Sequence, residues 1–490
     1  MSSREERRRR PDRWLFAAFV LLLLWLPLPS ASHSVWATAL MGMAVFLLLS
    51  WWGILLAAGR VSWPLRIRRL VIPLVLWGLW LAWIAVQIVP LSPTWLAWLS
   101  PPSFFIHQGV AALDGVQPLY SISIAPGDTC EKLAESLIYF GIYLLTFLLL
   151  RGDSRLRTVL LALLISGLAQ AVFASTMTLS GLEYGFFEKK TAYLGSATGT
   201  FVNRNHLAAY LEMTAAAGIG LVLADMRGTS QWNWKAALNG LLDLMLSTRL
   251  RVRLALVIIA IGLMLTRSRM GNLAFFGSLS LCGLSYVVLR ERQYFFKALM
   301  LFASILLIDV LIVNQWFGLE RVIERIEATR VESESRIQLL AEVGPVMAAY
   351  RMTGAGLGSF AYAYEPYRSE SMRAYMNHAH NDYVEFMVET GAIGCGLLLL
   401  LVAVHVLHAL KVITRRRHRL RIAACFTVIM ATTALAIHAT AEFNFQIPAD
   451  AATYVVLLGL AASCSSRSRR RPRELAHGTS VPASANPASA

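Results

Sequence analysis

Charged side chains are scarce in this chain of 490 residues. Only 15% of its residues are Asp, Glu, Lys or Arg, against roughly 25% in a soluble domain. Hydrophobic residues make up 57% of the chain, and the mean hydropathy is +0.56. A soluble globular domain is thereby excluded. The composition predicts an all-α, polytopic integral membrane protein, because helices satisfy their own backbone hydrogen bonds in lipid.

Cysteine is also scarce. The five cysteines are scattered, without a C-x-x-C pair or a spacing typical of metal ligands. Only Cys130 falls in a large predicted external segment, so the sequence predicts no internal disulfide. We expect neither a metal site nor a cofactor.

Long hydrophobic runs, by contrast, are abundant. Segments of roughly 17–25 apolar residues can cross a bilayer as helices, and the sequence contains about twelve candidates. Their approximate bounds are 14–30, 35–58, 70–90, 133–150, 156–179, 206–224, 254–266, 272–289, 298–316, 392–410, 422–440 and 450–464. The seventh and twelfth are short, and the chain shows no internal repeat.

The basic residues are unevenly distributed. A net charge of +16 would suggest nucleic-acid binding in a soluble chain. If the Arg-rich amino terminus is cytoplasmic, however, most of the Lys and Arg fall in cytoplasmic turns, which is the positive-inside pattern. The charge therefore indicates topology and contact with anionic lipid, with both termini in the cytoplasm. The run ending at Pro29–Ser32 resembles a signal peptide, but an uncleaved first helix is the expectation.

The predicted organisation is a membrane domain at 1–464 and a disordered, basic cytoplasmic tail at 465–490. External segments are expected at 91–132, 180–205 and 317–391. The last is the largest, a periplasmic loop between helices 9 and 10. Its apolar spacing up to Tyr350 predicts two short amphipathic helices.

Two histidines, His378 and His380, lie where the largest external segment meets a hydrophobic run. Asn381 is a good helix cap, and Asp382 and Glu385 have capping-box spacing, so a helix is expected to start here. At its positive end, a neutral His380 can take a proton from a hydroxyl while phosphate binds nearby. The alternative is that both histidines merely bind loop backbone. A metal site is less favoured, because further ligands are lacking nearby.

Four arginines are candidates for phosphate contacts. Arg267 and Arg269 occupy a short turn that this topology puts outside, against the charge trend, and arginine grips phosphate bidentately. The alternative is an inverted local topology with both arginines cytoplasmic. Arg204 repeats the pattern of a cation beside a helix cap at the sixth span. Arg336 lies among nearly as many glutamates, which favours a solvated helical face.

Two further features are less informative. The Gly354, Gly356 and Gly358 run is not a dinucleotide motif, because no strand precedes it. We expect it to turn the backbone tightly against the membrane surface. Glu212 and Asp309 are carboxylates within predicted spans, but two isolated ones make a poor transporter signature.

Taken together, these motifs resemble the O-antigen ligase and polysaccharide polymerase superfamily over roughly residues 190–450. The order, spacing and predicted sidedness of the motifs all agree. The matching pieces are Gly199–His206, Leu265–Arg269, Ser335–Arg336 with Thr353–Phe360, His378–Tyr383 with Glu389–Gly394, and His438 with Glu442–Pro448.

The resemblance implies a GT-C-like glycosyltransferase, multi-pass in the bacterial inner membrane. Such enzymes transfer a glycan from an undecaprenyl-diphosphate carrier to an acceptor hydroxyl at the periplasmic face, without metal or nucleotide sugar. The acceptor is lipid A core in ligases and a second lipid-linked glycan in polymerases, and this choice stays open. A multispanning transporter or flippase of lipid-linked sugars is the alternative function.

The resemblance also suggests roles for individual residues. His380 would be the catalytic base, and Arg269 would contact the diphosphate of the donor. A direct displacement of this kind would invert the anomeric configuration. Further substrate-binding candidates are Arg204, Arg267, Arg336, His378 and Asn381.

Overall fold

The computed structural model describes residues 11–64, 70–113, 119–185, 188–225, 248–290, 341–370 and 375–464, with a few isolated positions between 292 and 339. Within these ranges the regular structure is helical, apart from one isolated bridge between Tyr184 and Lys189. The all-α class is therefore confirmed for this part of the chain.

The described helices are numbered in chain order. They are α1 (Arg13–Trp25), α2 (Val35–Ala57), α3 (Val71–Ile88), α4 (Pro93–Leu99), α5 (Pro101–Ala111), α6 (Pro126–Leu149), α7 (Asp153–Leu179), α8 (Arg204–Asp225), α9 (Thr248–Leu265), α10 (Arg269–Arg290), α11 (Phe360–Tyr364), α12 (Asp382–Arg415), α13 (Arg419–His438) and α14 (Pro448–Ser463). Residues 341–349 are also helical.

Among the described residues, eight helices are long and apolar enough to cross a membrane, and α1 and α14 are shorter apolar helices. Together with α9, they occupy every predicted span except the ninth. That span, 298–316, lies almost wholly outside the described residues, as do the first predicted amphipathic helix and the tail from 465. A polytopic membrane protein is supported, and the number twelve stays a prediction.

Two helices begin earlier than the hydrophobic runs indicated. α6 begins at Pro126 rather than near 133, and α12 begins at Asp382 rather than near 392. In each case a polar first turn precedes the apolar stretch, with Asp128 in α6 and Glu385 in α12. A hydropathy pattern detects only the apolar part of such a helix, so each helix extends beyond the span that its hydrophobic run marked. At α12 the start agrees with the cap expected at Asn381.

Helix α8 lies at the centre of the bundle. Its side chains from Asn205 to Gly218 are buried, and it contacts α7, α9, α10, α13 and α14. At Gly220 the backbone lies against Thr427 of α13, whose hydroxyl donates to the carbonyl of Ala216. Close packing at small residues and hydrogen bonds between helices are what hold helices together in lipid. These contacts hold α8 against α13.

Three ion pairs lie at the end of the bundle where α7 and α13 begin. They are Arg155 with Asp12 (2.7 Å), Arg157 with Asp225 (2.6 Å) and Arg421 with Asp153 (3.3 Å). The opposite end holds the first turns of α8, α10 and α12, which carry the candidate site residues.

Helix α12 is broken at Gly391, whose backbone adopts φ +63° and ψ −174°. The break frees backbone groups that would otherwise pair within the helix, and residues 351–357 bind them. The amide of Ala392 donates to the carbonyl of Arg351 (2.8 Å), and that of Gly356 to the carbonyl of Glu389 (2.9 Å). Since unpaired backbone groups are costly in lipid, this pairing makes the break a stable joint.

The glycine run packs on the broken helix α12. Its expected contact with the membrane surface stays a prediction. Gly354 adopts φ +75°, and a Cβ there would collide with the carbonyl of Glu389. The Gln87 amide spans the joint, donating to the carbonyls of Thr353 and Glu389 (2.9 Å each). Only glycine permits this approach of two backbones.

We predict that Gly354→Ala lowers the melting temperature of the purified protein far more than Gly181→Ala. Both glycines have positive φ, +75° and +71°, where a Cβ costs roughly 1–2 kcal/mol. Only Gly354 would also drive its Cβ into α12, because Gly181 faces open space. Thermal unfolding in detergent, followed by tryptophan fluorescence, measures the difference. Equal losses in the two variants would contradict the joint.

Candidate functional site

Three helices begin at the same end of the bundle, each with a side-chain cap. Each cap oxygen accepts a hydrogen bond from an amide of the first turn: Asn203 from Asn205 (2.8 Å), Ser268 from Gly271 (3.1 Å) and Asn381 from Val384 (3.1 Å). The helix start expected at Asn381 is therefore confirmed. The positive ends of α8, α10 and α12 make this end of the bundle favourable for an anion.

Two buried glutamates hold the imidazoles of His378 and His380. Glu385 Oε1 lies 2.7 Å from His378 Nδ1, and Glu442 Oε2 lies 3.4 Å from His380 Nδ1. The glutamates are 1% exposed, whereas the histidines are 27% and 23% exposed. The carboxylates thus bind Nδ1 from the protein side. With Nδ1–H donating to a carboxylate, Nε2 is left as the basic nitrogen.

Glu385 does not form the capping box that its spacing suggested. Its second oxygen accepts the amide of Ala379 (2.9 Å), so the carboxylate binds the segment carrying the histidines instead of the helix end. Asn205 of α8 donates to Glu442 Oε1 (2.5 Å). The two carboxylates therefore connect the histidine segment to the start of α12 and to α8.

Phe443 lies at the centre of three imidazoles. His378 stacks on its ring, with centroids 4.1 Å apart and planes at 13°. His380 and His206 meet it edge-on at 5.0 Å and 4.6 Å. A planar apolar surface of this kind restricts ring rotation and excludes water from one face of each imidazole. The connection between α13 and α14 thereby helps to orient both candidate histidines.

Backbone strain marks two of the candidate residues. His380 adopts φ +49° and Arg267 adopts φ +55°. Residues other than glycine are rare in this region, and such conformations persist where the surroundings enforce them. At His380 the Glu385, Asn381 and Phe443 contacts on either side supply that enforcement.

Three cations, which we call the cation cluster, lie around the segment that precedes α8: Lys190, Arg204 and Arg267. Lys190 Nζ donates to the carbonyl of Ser196 (2.8 Å), and Arg204 Nη1 to its hydroxyl (3.4 Å). Arg267 lies beside Gly195 and interacts electrostatically with Glu183. Arg204 also lies over the ring of Tyr193, 5.4 Å from its centroid.

Glu183 is the acidic member of this cation cluster. Burial alone would raise its pKa, but the Lys190 ammonium (2.5 Å) and the Gly195 amide (2.7 Å) hydrogen-bond the carboxylate and hold the pKa below its usual value. The ionised carboxylate therefore fixes the loop on which Arg204 and Arg267 depend.

The cation cluster meets the histidine cluster, which is the three imidazoles around Phe443, at the start of α8. Arg204 belongs to the first, and Asn205 and His206, the next two residues, contact Glu442 and Phe443 of the second. Arg269 begins α10, whose Gly271 packs against Ala208 in the first turns of α8. Arg204, Arg267, His378, His380 and Asn381 are thus brought to one region, with Arg269 on the adjoining helix. Arg336 lies outside the described residues.

An apolar groove of about 440 Å³ runs between α10, α12 and α13. Leu281, Val406, Ile429 and Ile437 line it together with Thr432, Thr433 and Thr440. Each threonine hydroxyl donates to a carbonyl of its own helix, at 2.7–2.9 Å. The groove therefore presents hydrocarbon despite its threonines.

The upper end of this groove reaches the histidine cluster. The Asn381 amide donates to the carbonyl of Thr440 (3.0 Å), and the Tyr383 hydroxyl to that of Ala436 (2.8 Å). Both carbonyls belong to groove residues. Nonpolar surface on the side of the bundle is thus continuous with a polar site at its end.

Sequence reasoning missed the second layer of the site. Glu385, Glu442, Phe443 and His206 all contact a predicted histidine or its partner, yet none was a candidate. A signal was present, because Glu442, Phe443 and His206 lie inside the motifs that carry the resemblance. Their pairing joins positions more than 60 residues apart, which no local pattern reveals.

The chain was also compared with known proteins. Residues 254–399 match the family model described as O-Antigen ligase. A search of the curated proteins found no match. The matched region contains Arg267, Arg269 and both candidate histidines, whereas Arg204 precedes it and Glu442 follows it.

We predict that Glu183→Gln lowers the melting temperature at neutral pH and flattens its dependence on acid. Because the pKa of Glu183 is depressed in the folded protein, its stabilisation is full above the unfolded value of about 4.3. That stabilisation is lost as the pH falls through this value towards the folded one. Melting curves between about pH 7 and pH 3 measure the change, within the usual range of carboxylate titration.

Glu365→Gln is the matched control for that prediction. Glu365 is 45% exposed and pairs with Arg368 on the surface, so its loss should leave the curve nearly unchanged. Identical acid profiles for wild type and Glu183→Gln would contradict the role assigned to Glu183.

Proposed function

We propose that this protein is a glycosyltransferase of the bacterial inner membrane, because residues 254–399 match the O-Antigen ligase family model. It transfers a glycan from an undecaprenyl-diphosphate carrier to an acceptor hydroxyl at the periplasmic face. The observation that carries the proposal is His380, held by a buried carboxylate at the upper end of an apolar groove. This arrangement suits a lipid donor and a hydrophilic acceptor.

His380 acts as the general base in this scheme. Its Nδ1 faces Glu442, so Nε2 takes the proton from the acceptor hydroxyl. The acceptor oxygen bonds to the anomeric carbon while the bond from that carbon to the diphosphate oxygen breaks. The electron pair leaves with the diphosphate, and attack from the opposite side inverts the anomeric configuration. A positioned base typically accelerates such a reaction by about 10²–10⁴-fold.

Arginines stabilise the departing diphosphate. Arg269 is the proposed principal contact, because it begins α10, where the helix dipole also favours an anion. Arg204 and Arg267, gathered by the loop at 193–196, are the proposed companions, with His378 and Asn381 at the substrate. Arg336 is proposed on the resemblance alone. Fixed cations in a site shielded from water are worth several kcal/mol to a transition state.

The groove between α10, α12 and α13 supports a lipid-linked donor. Arg269 begins the helix on one side of it, and Asn381 caps the helix on the other. If the diphosphate binds between these two helix ends, its hydrocarbon chain can extend along the apolar lining of the groove. The acceptor, lipid A core or a second lipid-linked glycan, then approaches from the aqueous side. The proposed reaction uses neither metal nor cofactor.

We predict that purified protein transfers label from an undecaprenyl-diphosphate glycan and that His380→Ala abolishes transfer. Lipid A core and excess donor are offered separately, in the presence of a metal chelator. Label on lipid A core identifies a ligase, and a ladder of longer carrier-linked glycans identifies a polymerase. Glu442→Gln should retain part of the activity, because it leaves the base but weakens its orientation.

Transfer by His380→Ala at the wild-type rate would overturn the assignment of the base. If wild type leaves the donor untouched with every acceptor, the transferase proposal fails, and transport of the lipid-linked glycan is the next activity to measure. A product that retains the anomeric configuration would exclude the single displacement.

We predict that Arg269→Ala lowers kcat/KM by roughly 10²–10³-fold, the usual cost of losing one group that stabilises transition-state charge. Arg269→Lys should recover part of this loss, because lysine keeps the charge but not the bidentate geometry. Arg253→Ala is the control, since Arg253 is an exposed arginine towards the other end of α9. Equal rates for Arg269→Ala and Arg253→Ala would remove Arg269 from the site.

A further inference from the structure

A second polar cluster lies deeper in the bundle and takes no part in the transfer scheme. It comprises Glu212 of α8, His438 of α13, Asp382 of α12 and Asp450 of α14, all at most 2% exposed. Glu212 follows Arg204 by two helical turns, or about 12 Å along the axis. Glu212 therefore lies on the inner side of the candidate site, whereas Asp382 directly follows Asn381 and borders the site.

The cluster is tightly connected yet incompletely hydrogen-bonded. His438 Nδ1 lies 2.8 Å from Glu212 Oε1, and Asp450 is within electrostatic range of Glu212 and Asp382. Several of its polar atoms have no hydrogen-bond partner among the described residues: His438 Nε2, Glu212 Oε2, Asp382 Oδ1 and both oxygens of Asp450. The side chain of Asn444, fully buried in the adjoining turn, has none either.

Polar groups this deeply buried are normally hydrogen-bonded, often to ordered water. In the described part of the chain, no three His, Cys, Asp or Glu groups converge as metal ligands. The orphaned atoms are mostly carboxylate oxygens and imidazole nitrogen, which bind protons and water. The chemistry of the cluster therefore indicates water and a proton as its ligands.

Charge balance also favours a bound proton. Three carboxyl groups share this region, and among the described ion pairs only that of His438 with Glu212 lies within it. A charged imidazole would offset one of the three carboxylates, and the Lys and Arg of the other described ion pairs bind other carboxylates. Asp382 and Asp450 lie in the first turns of their helices, but a helix dipole offsets only about 0.3–1 kcal/mol. Burying an uncompensated ion costs several kcal/mol. A carboxyl group in this setting avoids that cost by holding a proton.

The connection 439–447 between α13 and α14 joins this cluster to the candidate site. The Asp382 amide donates to the carbonyls of Ala439 (3.0 Å) and Glu442 (3.2 Å), and the Phe445 amide donates to Asp382 Oδ2 (3.3 Å). The same connection carries the Glu442 side chain against His380. Any displacement around Asp382 therefore moves the partner of the proposed base.

We propose that Glu212, Asp382, Asp450 and His438 form a buried site for a proton and ordered water, which positions Glu442 against His380. While the proton is bound, the carboxyl groups remain close and the connection 439–447 keeps its place. Loss of the proton makes them repel one another, and the repulsion displaces Glu442 from His380. These four are positioning residues, and their effect on transfer rests on the proposed function.

Other titratable groups face this site from each packed element. Each of them must be considered when its pH dependence is measured. They are His206 and Tyr210 of α8, Glu385 and Tyr383 of α12, Glu442 of the 439–447 connection and Tyr139 of α6. His206 and Glu442 also contact the candidate site, so variants of Asp450 and Glu212 report on the cluster most directly.

The first test is infrared spectroscopy of the purified protein at neutral pH, without substrate. Wild type should show the carbonyl stretch of a protonated carboxyl group, and Asp450→Asn and Glu212→Gln should each reduce it. Asp153→Asn is the control, because Asp153 is 42% exposed and pairs with His418 and Arg421. An unchanged band in both cluster variants would overturn the bound proton.

The second test measures the coupling to His380. In wild type the transfer rate should fall at alkaline pH as the cluster loses its proton. Asp450→Asn and Glu212→Gln carry amides that cannot ionise, so this fall should move to higher pH. The ratio of the rate near pH 9 to that near pH 7 should rise by about threefold or more, which corresponds to half a pKa unit. If the fall in transfer rate at alkaline pH stays at the same pH in both variants, the proposed coupling of the cluster to His380 is overturned.

A third measurement separates this proposal from the transferase proposal. Modification of His380 by diethyl pyrocarbonate, located by mass spectrometry, needs no glycan. Its pH dependence should differ between wild type and Asp450→Asn even if wild type transfers nothing. Identical modification profiles would overturn the positioning role, whereas an inactive wild type would overturn only the proposed function.

Discussion

Backbone N–H and C=O groups within a membrane must be hydrogen-bonded to other groups of the protein. The break in α12 at Gly391 frees such groups, and their new partners determine how the segments around the site pack. The residues before and within the glycine run supply those partners, and Gln87 spans the two backbones. The Glu389 side chain accepts the amide of Phe360 (3.2 Å), which ties α11 to the same place. The segment 351–360 is therefore bound to α12 at the end of its first two turns. Those turns directly follow His378 and His380, so the joint also restricts the position of the two histidines.

Above the joint, the site depends on carboxylates that reach it from different parts of the chain. Glu385 comes from α12 itself and Glu442 from the connection to α14, and Phe443 fills the space between the imidazoles. Each histidine is thus oriented by one acidic side chain and one ring face. The strained backbone of His380 persists because these contacts hold it on both sides.

The sequence contained the fold class and the order of the helices, because runs of apolar residues are a local signal. It also indicated the cap at Asn381, since capping depends on a few neighbouring residues. It did not indicate that α12 is broken at Gly391, nor that the glycine run packs on this helix, because these follow from backbones meeting across distant segments. For the same reason Glu442 was missed, although its motif was recognised and the resemblance to the superfamily was confirmed.

The groove between α10, α12 and α13 has a consequence for how any substrate reaches the site. Its apolar lining lies along the side of the bundle, where α10, α12 and α13 meet. A lipid-linked donor of the kind proposed would therefore reach it by lateral diffusion in the plane of the membrane. Occupancy of the groove then depends on the mole fraction of that lipid in the leaflet. Detergent micelles lower this mole fraction and so reduce occupancy, as a competing ligand would.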